Sequence, residues 1–111
     1  MTVSIGERGS IQVVVLAGEI DLQNSGEVRD AVLRCLQQKR PVVVDMGGIT
    51  YIDSSGVASL VEGFQVARTM GMAFILAAVS PAAMRVLRLA RLDRVFVIVA
   101  DLDAAVESAD R

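Results

Sequence analysis

Residues 42–60, VVVDMGGITYIDSSGVASL, constrain this chain more than any other part of the sequence. They begin with three valines and an aspartate, a β-branched run of the kind that parallel sheets bury. Gly47 and Gly48 then indicate a turn, and an apolar periodicity typical of a helix follows Gly56. The stretch therefore predicts a buried strand, a connection and a helix start, where free N–H groups and a positive dipole end are available.

Three polar side chains stand at that helix start: Asp53, Ser54 and Ser55. One serine can simply be the N-cap residue, as serine is at many helices. Alternatively, an exposed serine there is a phosphorylation site, because the helix dipole and the free N–H groups favour a phosphate. A phosphate would add about −1.5 to −2 charges and could break a contact with a partner. Asp53 can be a capping carboxylate, or it can orient the serine or be recognised by a kinase.

Three further residues near the helix start allow a structural or a functional interpretation. A glycine costs roughly 1 kcal/mol inside a helix, so we expect Gly56 to permit close approach of backbone or of a partner. Glu19 and Asp21 form either a solvated turn or part of a partner-binding face.

Gly47 and Gly48 do not indicate a phosphate-binding loop, because the GxxxxGK[ST] pattern and a nearby lysine are both missing.

Strand and helix signals alternate along the rest of the chain. Strands are predicted over residues 3–7, 11–17, 41–46, 73–79 and 96–100, and the first two form a hairpin around residues 8–10. An amphipathic helix, capped by Asp21, Asn24 or Ser25, ends before Pro41. The helix after the central motif ends near residues 70–71. A third helix starts at Ser80-Pro81, and a fourth runs from Asp101 or Asp103 to about Ser108.

The element order β-β-α-β-α-β-α-β-α predicts one α/β domain over residues 1–111. Its sheet should be mainly parallel, with right-handed crossovers. The apolar positions of the strands and helices define the expected core. We predict these core residues: Val28, Val32, Leu36, Val43, Leu60, Phe64, Ile75, Leu87 and Val97. Cys35 falls on the apolar stripe of the first helix and is expected to be buried with them.

Composition argues against several classes of function. The chain has no histidine and one cysteine, so the usual general base, a metal-binding set and a disulfide framework are all missing. A net charge of −2 gives no electrostatic argument for nucleic-acid binding. No apolar run approaches the roughly 20 residues that span a bilayer, and the first ten residues do not resemble a signal peptide. We therefore expect a cytoplasmic protein without cofactor, metal or enzymatic activity, and without membrane insertion.

The central motif resembles the signature of the STAS domain, above all that of bacterial anti-sigma factor antagonists. The likeness rests on Asp45, Ile49 and the run from Ile52 to Val57, which reads IDSSGV. Residues 18–21, GEID, resemble a second family motif, and residues 80–81 and 92–96 also fit. The resemblance covers nearly the whole chain. It implies the same α/β fold with four helices, in which the N-terminal hairpin adds an antiparallel strand at the sheet edge.

The resemblance also implies a function. In antagonists the phosphorylated residue is the serine directly after the motif aspartate, which corresponds to Ser54, with Ser55 as second choice. The expected partner-binding residues are Glu19, Asp21, Asp53, Ser54, Ser55 and Gly56. The implied partners are an anti-sigma factor with serine kinase activity, which leaves a sigma factor free when bound, and a serine phosphatase. An alternative is a STAS subunit of an ABC-type phospholipid transport complex, docked through the same surface.

Overall fold

The predicted alternation of strands and helices is present in the computed structural model, which describes residues 1–110. The strands of this part of the chain are β1 (Thr2–Arg8), β2 (Ile11–Ile20), β3 (Val42–Ile52), β4 (Phe74–Ala77) and β5 (Val97–Val99). The helices are α1 (Ser25–Gln37), α2 (Ser54–Met70), α3 (Pro81–Leu89) and α4 (Leu102–Ala109), with a 3₁₀ turn at Leu92–Arg94. None of these helices combines the length and the apolar character needed to cross a membrane.

The strands form one sheet in the order β1-β2-β3-β4-β5. β1 pairs with β2 in antiparallel fashion through a hairpin turn where Gly9 has a φ of 63°. All other neighbouring strands are parallel. The predicted fold class is therefore confirmed, including the antiparallel edge strand of the N-terminal hairpin. Because parallel strands end at the same edge of a sheet, the segments after β2 and β3 are brought together.

The predicted turn at Gly47-Gly48 is wrong, because β3 passes through both glycines and ends at Ile52. β2 likewise continues past Gly18, the predicted end, to Ile20. The two strands shift register between Val15 and Ala17 and again after Gly18, which has a φ of 87°. A Cβ on Gly48 would lie only 2.8 Å from the Cβ of Ala17. The glycines therefore allow a bulged, closely paired ladder and do not reverse the chain.

The last two strands are shorter than predicted. β4 stops at Ala77, after which Ala78 adopts a φ of 54°, although its N–H still donates to the carbonyl of Val99 at 3.1 Å. β5 has three residues and forms an edge of the sheet. Val97 was predicted to be core but is 51% exposed, since α4 packs closer to the sheet centre. The prediction failed because an apolar strand on an edge looks the same in sequence as one in the centre.

The core has two sides, separated by the sheet. One side contains the inner faces of α1, α2 and α3 against residues such as Val42, Val44 and Leu76. The other is smaller and contains α4 against Ile11, Val43 and Ile75, with these last two as neighbours in the ladder. The remaining predicted core residues are buried, apart from Phe64, which is half-buried against the larger side. The buried ones are Val28, Val32, Leu36, Val43, Leu60, Ile75 and Leu87, together with Cys35.

Helix ends follow the predicted capping chemistry in α3 and α4. The Ser80 hydroxyl accepts the N–H of Ala83 at 3.2 Å, and Pro81 is the first residue of α3. Asp101, one of the two predicted starts of α4, accepts the N–H of Ala104 at 2.8 Å. α2 ends at Gly71, which has a φ of 70°, as expected of a glycine C-cap.

Candidate functional site

Asp53 is the N-cap of α2. Its backbone is extended, and its carboxylate Oδ1 accepts the N–H groups of Ser55 at 2.9 Å and Gly56 at 3.2 Å. The interpretation of Asp53 as a capping carboxylate is therefore confirmed, and the interpretation of either serine as the N-cap is wrong. An aspartate at this position satisfies two helix N–H groups and also opposes the positive end of the helix dipole.

The two serines of the motif occupy different environments. Ser55 is half-buried, and its hydroxyl donates to Oδ1 of Asp53 at 2.6 Å. Ser54 is exposed as the first residue of α2. Among residues 1–110, no side chain or backbone group is hydrogen-bonded to the Ser54 hydroxyl. Ser54 thus presents a free nucleophilic oxygen, whereas the Ser55 oxygen is engaged.

The pKa of Asp53 lies below its ordinary value. The main cause is the hydroxyl of Ser55, which donates to the ionised carboxylate. The backbone N–H groups of Gly56, Ser55 and Leu22 lower the pKa further, while desolvation opposes them. The carboxylate is therefore ionised at neutral pH, and the residue that directly precedes Ser54 carries a negative charge. The contribution of Leu22 indicates that the segment after β2 lies near this carboxylate.

That segment, residues 21–24, is held by the side chain of Asn24. Its Oδ1 accepts the N–H of Asp21 at 2.9 Å, and its Nδ2 donates to the carbonyl of Glu19 at 2.9 Å. Asn24 therefore occupies the N-cap position of α1 without capping it, because its amide fastens the preceding loop. Asp21 in turn accepts the N–H of Gln23 at 3.0 Å. Of the three predicted caps of α1, Asp21 and Asn24 therefore hold the loop and do not cap the helix, and Ser25 is the first residue of α1.

The loop and the start of α2 form one surface. The N–H of Asp53 donates to the carbonyl of Ile20 at 3.1 Å, which joins the ends of β2 and β3. Glu19 pairs with Tyr51 across the two strands, and both are exposed. The structure thus brings together Glu19 and Asp21 with Asp53, Ser54 and Ser55, although the two groups are more than 30 residues apart in sequence. We call these five residues the switch surface, after the hypothesis of a phosphorylation switch at Ser54.

Gly56, the sixth predicted contact residue, is buried beneath this surface. A Cβ at this position would lie 2.7 Å from Cγ1 of Ile52 and 2.8 Å from Cγ2 of Ile20. The close contact that we expected at this glycine is therefore one between α2 and the ends of β2 and β3 of the same chain. The absence of a side chain lets the first turn of α2 rest directly on the sheet.

Two apolar residues beside the switch surface were missed in the sequence. Leu22 is 80% exposed within the loop, and Tyr51 is 51% exposed at the end of β3. A lone leucine between polar neighbours in a connection was the available signal, because a residue there has no helix or strand periodicity to bury it. Both residues add apolar area to a surface otherwise composed of carboxylates and hydroxyls. Such a mixture suits protein contacts better than small-molecule chemistry.

Neither a metal-binding cluster nor a histidine accompanies Ser54 in the described part of the chain. No group of three or more carboxylate or thiol side chains is close enough to hold a metal ion among residues 1–110. The chain has no histidine that could act as a base toward Ser54. What the geometry offers is an exposed hydroxyl on a helix N-terminus, within an acidic and partly apolar surface.

A family model for the STAS domain matches residues 2–109. Among solved structures, an anti-sigma factor antagonist from Mycobacterium paratuberculosis has 23% identity and a TM-score of 0.88. The match covers 99% of this chain and 94% of that one. An anti-sigma-factor antagonist (STAS) domain protein from Planctomyces limnophilus has 19% identity and a TM-score of 0.84, with 98% of each chain covered.

A third similar structure is the Bacillus cell fate determinant SpoIIAA in its phosphorylated form. It has 17% identity and a TM-score of 0.74, with 96% of this chain and 98% of that chain covered. At these levels of identity the three structures establish a common fold, which they share over almost their entire length.

Proposed function

The chain belongs to the STAS domain family, and on this premise we propose that it is an anti-sigma factor antagonist. As a single domain over residues 1–111, it binds an anti-sigma factor through the switch surface and so leaves a sigma factor free. The anti-sigma factor is also a serine kinase that phosphorylates Ser54 and thereby ends the contact. A serine phosphatase restores the binding form. The protein is a substrate of these cytoplasmic enzymes and not itself an enzyme.

The observation that carries this proposal is the difference between the two serines. The Ser54 hydroxyl is exposed and without a hydrogen-bond partner in residues 1–110, whereas the Ser55 hydroxyl donates to Asp53 at 2.6 Å. A kinase needs to reach the acceptor oxygen without first breaking a short hydrogen bond. Ser54 meets this requirement and Ser55 does not. The phosphorylated form of SpoIIAA, a protein of the same fold, supports a phosphorylation switch in this family.

Charge and desolvation explain how one phosphate could end the contact. The switch surface already carries the carboxylates of Glu19, Asp21 and Asp53, and within residues 1–110 none of them has an ion-pair partner. A phosphate on Ser54 would add about −1.5 to −2 charges at neutral pH. A partner that buries Leu22 and Tyr51 would have to desolvate this added charge next to them. The same surface can thus bind the partner while Ser54 is unmodified and reject it once Ser54 is phosphorylated.

The test uses Ser54→Ala and Ser54→Asp with the anti-sigma factor recovered from native cell extract. Ser54→Ala should bind as the parent protein does but resist inactivation by kinase and ATP. Ser54→Asp should weaken binding at least tenfold, about 1.4 kcal/mol, and by less than a phosphate does, because it adds one charge and fewer acceptor oxygens. Since Asp53 is the cap, neither change should shift the free energy of unfolding by more than about 0.5 kcal/mol.

Ser55→Ala is the matched control. It removes a hydroxyl one residue away and should still be phosphorylated by the kinase on residue 54, as mass spectrometry would show. Phosphate found on Ser55 alone would move the switch by one residue. If no phosphate is found and both Ser54 variants bind equally, the switch is refuted, and docking as a subunit of an ABC-type phospholipid transport complex becomes the better explanation.

A further inference from the structure

A second charged surface lies on the molecule, away from the switch surface. Residues 85–94 contain four arginines and one aspartate, a local net charge of +3 in a chain whose total is −2. The arginines are Arg85 and Arg88 on α3, Arg91 after it and Arg94 in the 3₁₀ turn, and all four are exposed. We call these four residues the arginine surface.

The arginines of this surface form no ion pair within residues 1–110, although Asp93 lies among them. The ion pairs of residues 1–110 engage Arg8, Arg29 and Arg40, and none of them involves the four arginines. Interaction with the negative end of a helix dipole is a structural reason for Arg88, which lies in the last turn of α3. It does not account for Arg85, one turn earlier, or for Arg94 beyond the helix. Four unpaired guanidinium groups within ten residues are therefore available to an external anion.

Shape and apolar area accompany this charge. A groove of about 670 Å³ is lined by Val79, Pro81, Met84, Arg85, Arg88 and Leu89. Leu89 is 80% exposed, as fully as Leu22 beside the switch surface. Arg88 also borders a second depression, of about 440 Å³, together with Arg91, Asp93 and Arg94. Four apolar residues and two arginines therefore line the groove.

We propose that the arginine surface is a docking site for an acidic protein segment that inserts an apolar side chain into the groove. Guanidinium groups bind carboxylates in bidentate geometry, and the groove would hold a leucine-sized side chain between them. Single-stranded nucleic acid is disfavoured because no aromatic side chain lines the groove to stack on bases. An anionic membrane is disfavoured because the groove is concave and the rest of the chain is negatively charged.

Part of the arginine surface lies at the opposite edge of the sheet from Ser54. Arg91 and Arg94 precede β5, whose first residue pairs with Ile75 near the amino end of β4. Ser54 follows the carboxyl end of β3, and β3, β4 and β5 are parallel. Arg91 and Arg94 are therefore at the amino edge of these strands and Ser54 is at the carboxyl edge, where the groove also begins with Val79 and Pro81 after β4. A segment docked toward Arg91 and Arg94 would leave the switch surface open, so that the domain could hold two partners at once.

The experiment follows backbone amide resonances of the isotope-labelled protein as an acidic peptide that alternates glutamate with leucine is added. Resonances of residues 79–95 should shift, and those around Ser54 should not. Arg88→Ala should weaken binding at least tenfold, and Leu89→Ser should weaken it as well. Arg68→Ala is the matched control, because Arg68 is an exposed arginine in the last turn of α2 without an ion-pair partner in residues 1–110. It should leave the affinity unchanged.

Arg91→Gly separates binding from folding. Arg91 adopts a φ of 59°, a conformation that glycine accepts more readily than arginine, so this variant should be at least as heat-stable as the parent protein. It should nevertheless bind the peptide more weakly. Equal weakening by Arg68→Ala and Arg88→Ala, or no shift with about 1 mM peptide, would overturn the proposal. Shifts at the arginine surface with phosphatidylglycerol vesicles or an oligonucleotide, but not with the peptide, would overturn it in favour of that ligand.

Discussion

The carboxylate of Asp53 connects three features of the site. It caps α2, accepts the hydroxyl of Ser55 and is stabilised by the backbone N–H of Leu22 in the loop after β2. Every one of these interactions is with the ionised form. Because Asp53 is the N-cap, the Ser54 hydroxyl is not needed to cap the helix and has no hydrogen-bond partner in residues 1–110. At the scale of one residue, the capping aspartate therefore leaves the Ser54 hydroxyl outside the hydrogen bonds that hold the helix start.

Replacement of Asp53 should separate the stabilising effect of its charge from that of its hydrogen bonds. At neutral pH we expect the free energy of unfolding to fall in the order parent protein, Asp53→Asn, Asp53→Ala, because asparagine keeps an acceptor but lacks the charge. Urea unfolding followed by circular dichroism measures the three values. The parent protein and Asp53→Asn being equally stable at neutral pH would contradict the role of the charge.

The pH dependence of this effect has a definite sign. The pKa of Asp53 is lower in the folded protein than its ordinary value of 3.8, so the stabilisation is complete above that value. It is lost as the pH falls through the folded pKa, where the carboxylate becomes protonated. The stability difference between the parent protein and Asp53→Asn should therefore shrink on acidification to about pH 2.5, while the difference between Asp53→Asn and Asp53→Ala remains. Unfolding series at both pH values test this.

At the scale of elements, two glycines on the inner face of α2 determine how closely this helix packs against its neighbours. Gly56 lets its first turn rest on Ile20 and Ile52, at the ends of β2 and β3. Further along, Gly63 approaches Val32, so that α1 and α2 pack closely on the same side of the sheet. The position of Ser54 relative to the loop after β2 depends on this packing of α2 against the sheet and against α1.

Gly56→Ala should destabilise the protein even though alanine is the better helix former. The added Cβ would stand 2.7 Å from Cγ1 of Ile52, and overpacking of this kind costs about 1–3 kcal/mol. Gly26→Ala is the control, because Gly26 lies in α1 with open space around it, and the change should stabilise by up to about 1 kcal/mol. Melting temperature and urea unfolding give both values. A neutral Gly56→Ala would mean that α2 can shift away from the sheet at little cost.

At the scale of the whole molecule, three phenylalanines join parts of the chain that are distant in sequence. Phe64 on α2 lies 6.4 Å from Phe74 at the start of β4 and 5.4 Å from Phe96 before β5, measured between ring centroids. Both contacts have the edge-to-face geometry that aromatic pairs favour. This cluster connects α2, whose first residue is Ser54, to the start of β4 and to the segment before β5.

Phe64→Ala should reduce the free energy of unfolding by about 2 kcal/mol. The value is below the 3–5 kcal/mol typical of a buried phenylalanine because Phe64 is half-buried. Val97→Ala is a useful comparison, since its side chain is 51% exposed and its loss should cost no more than about 0.5 kcal/mol. Urea unfolding measures both changes. A loss below roughly 1 kcal/mol for Phe64→Ala would indicate that the aromatic cluster contributes little to the stability of the domain.

The sequence by itself determined the α/β class, the helices and most of the core, because these follow from local periodicity and capping chemistry. It also identified Asp53, Ser54 and Ser55 as the place to look for function. It could not distinguish the roles of the three, since an aspartate and two serines are all good N-cap residues. The distinction required the coordinates, in which one carboxylate takes both helix N–H groups and the second hydroxyl.

Long-range pairing was decided only by the tertiary structure. Gly47 and Gly48 have the local preferences of a turn, but β3 continues through both of them. Gly48 pairs with Ala17 of β2, and its missing side chain makes room for that residue. The same pairing carries Glu19 to the side of Tyr51 and makes one surface from two distant segments. The exposure of Val97 and the closeness of Gly56 to Ile20 likewise depend on neighbours that are far away in sequence. Local preference fixes what a segment can form, whereas its packing partners determine which of those forms is stable.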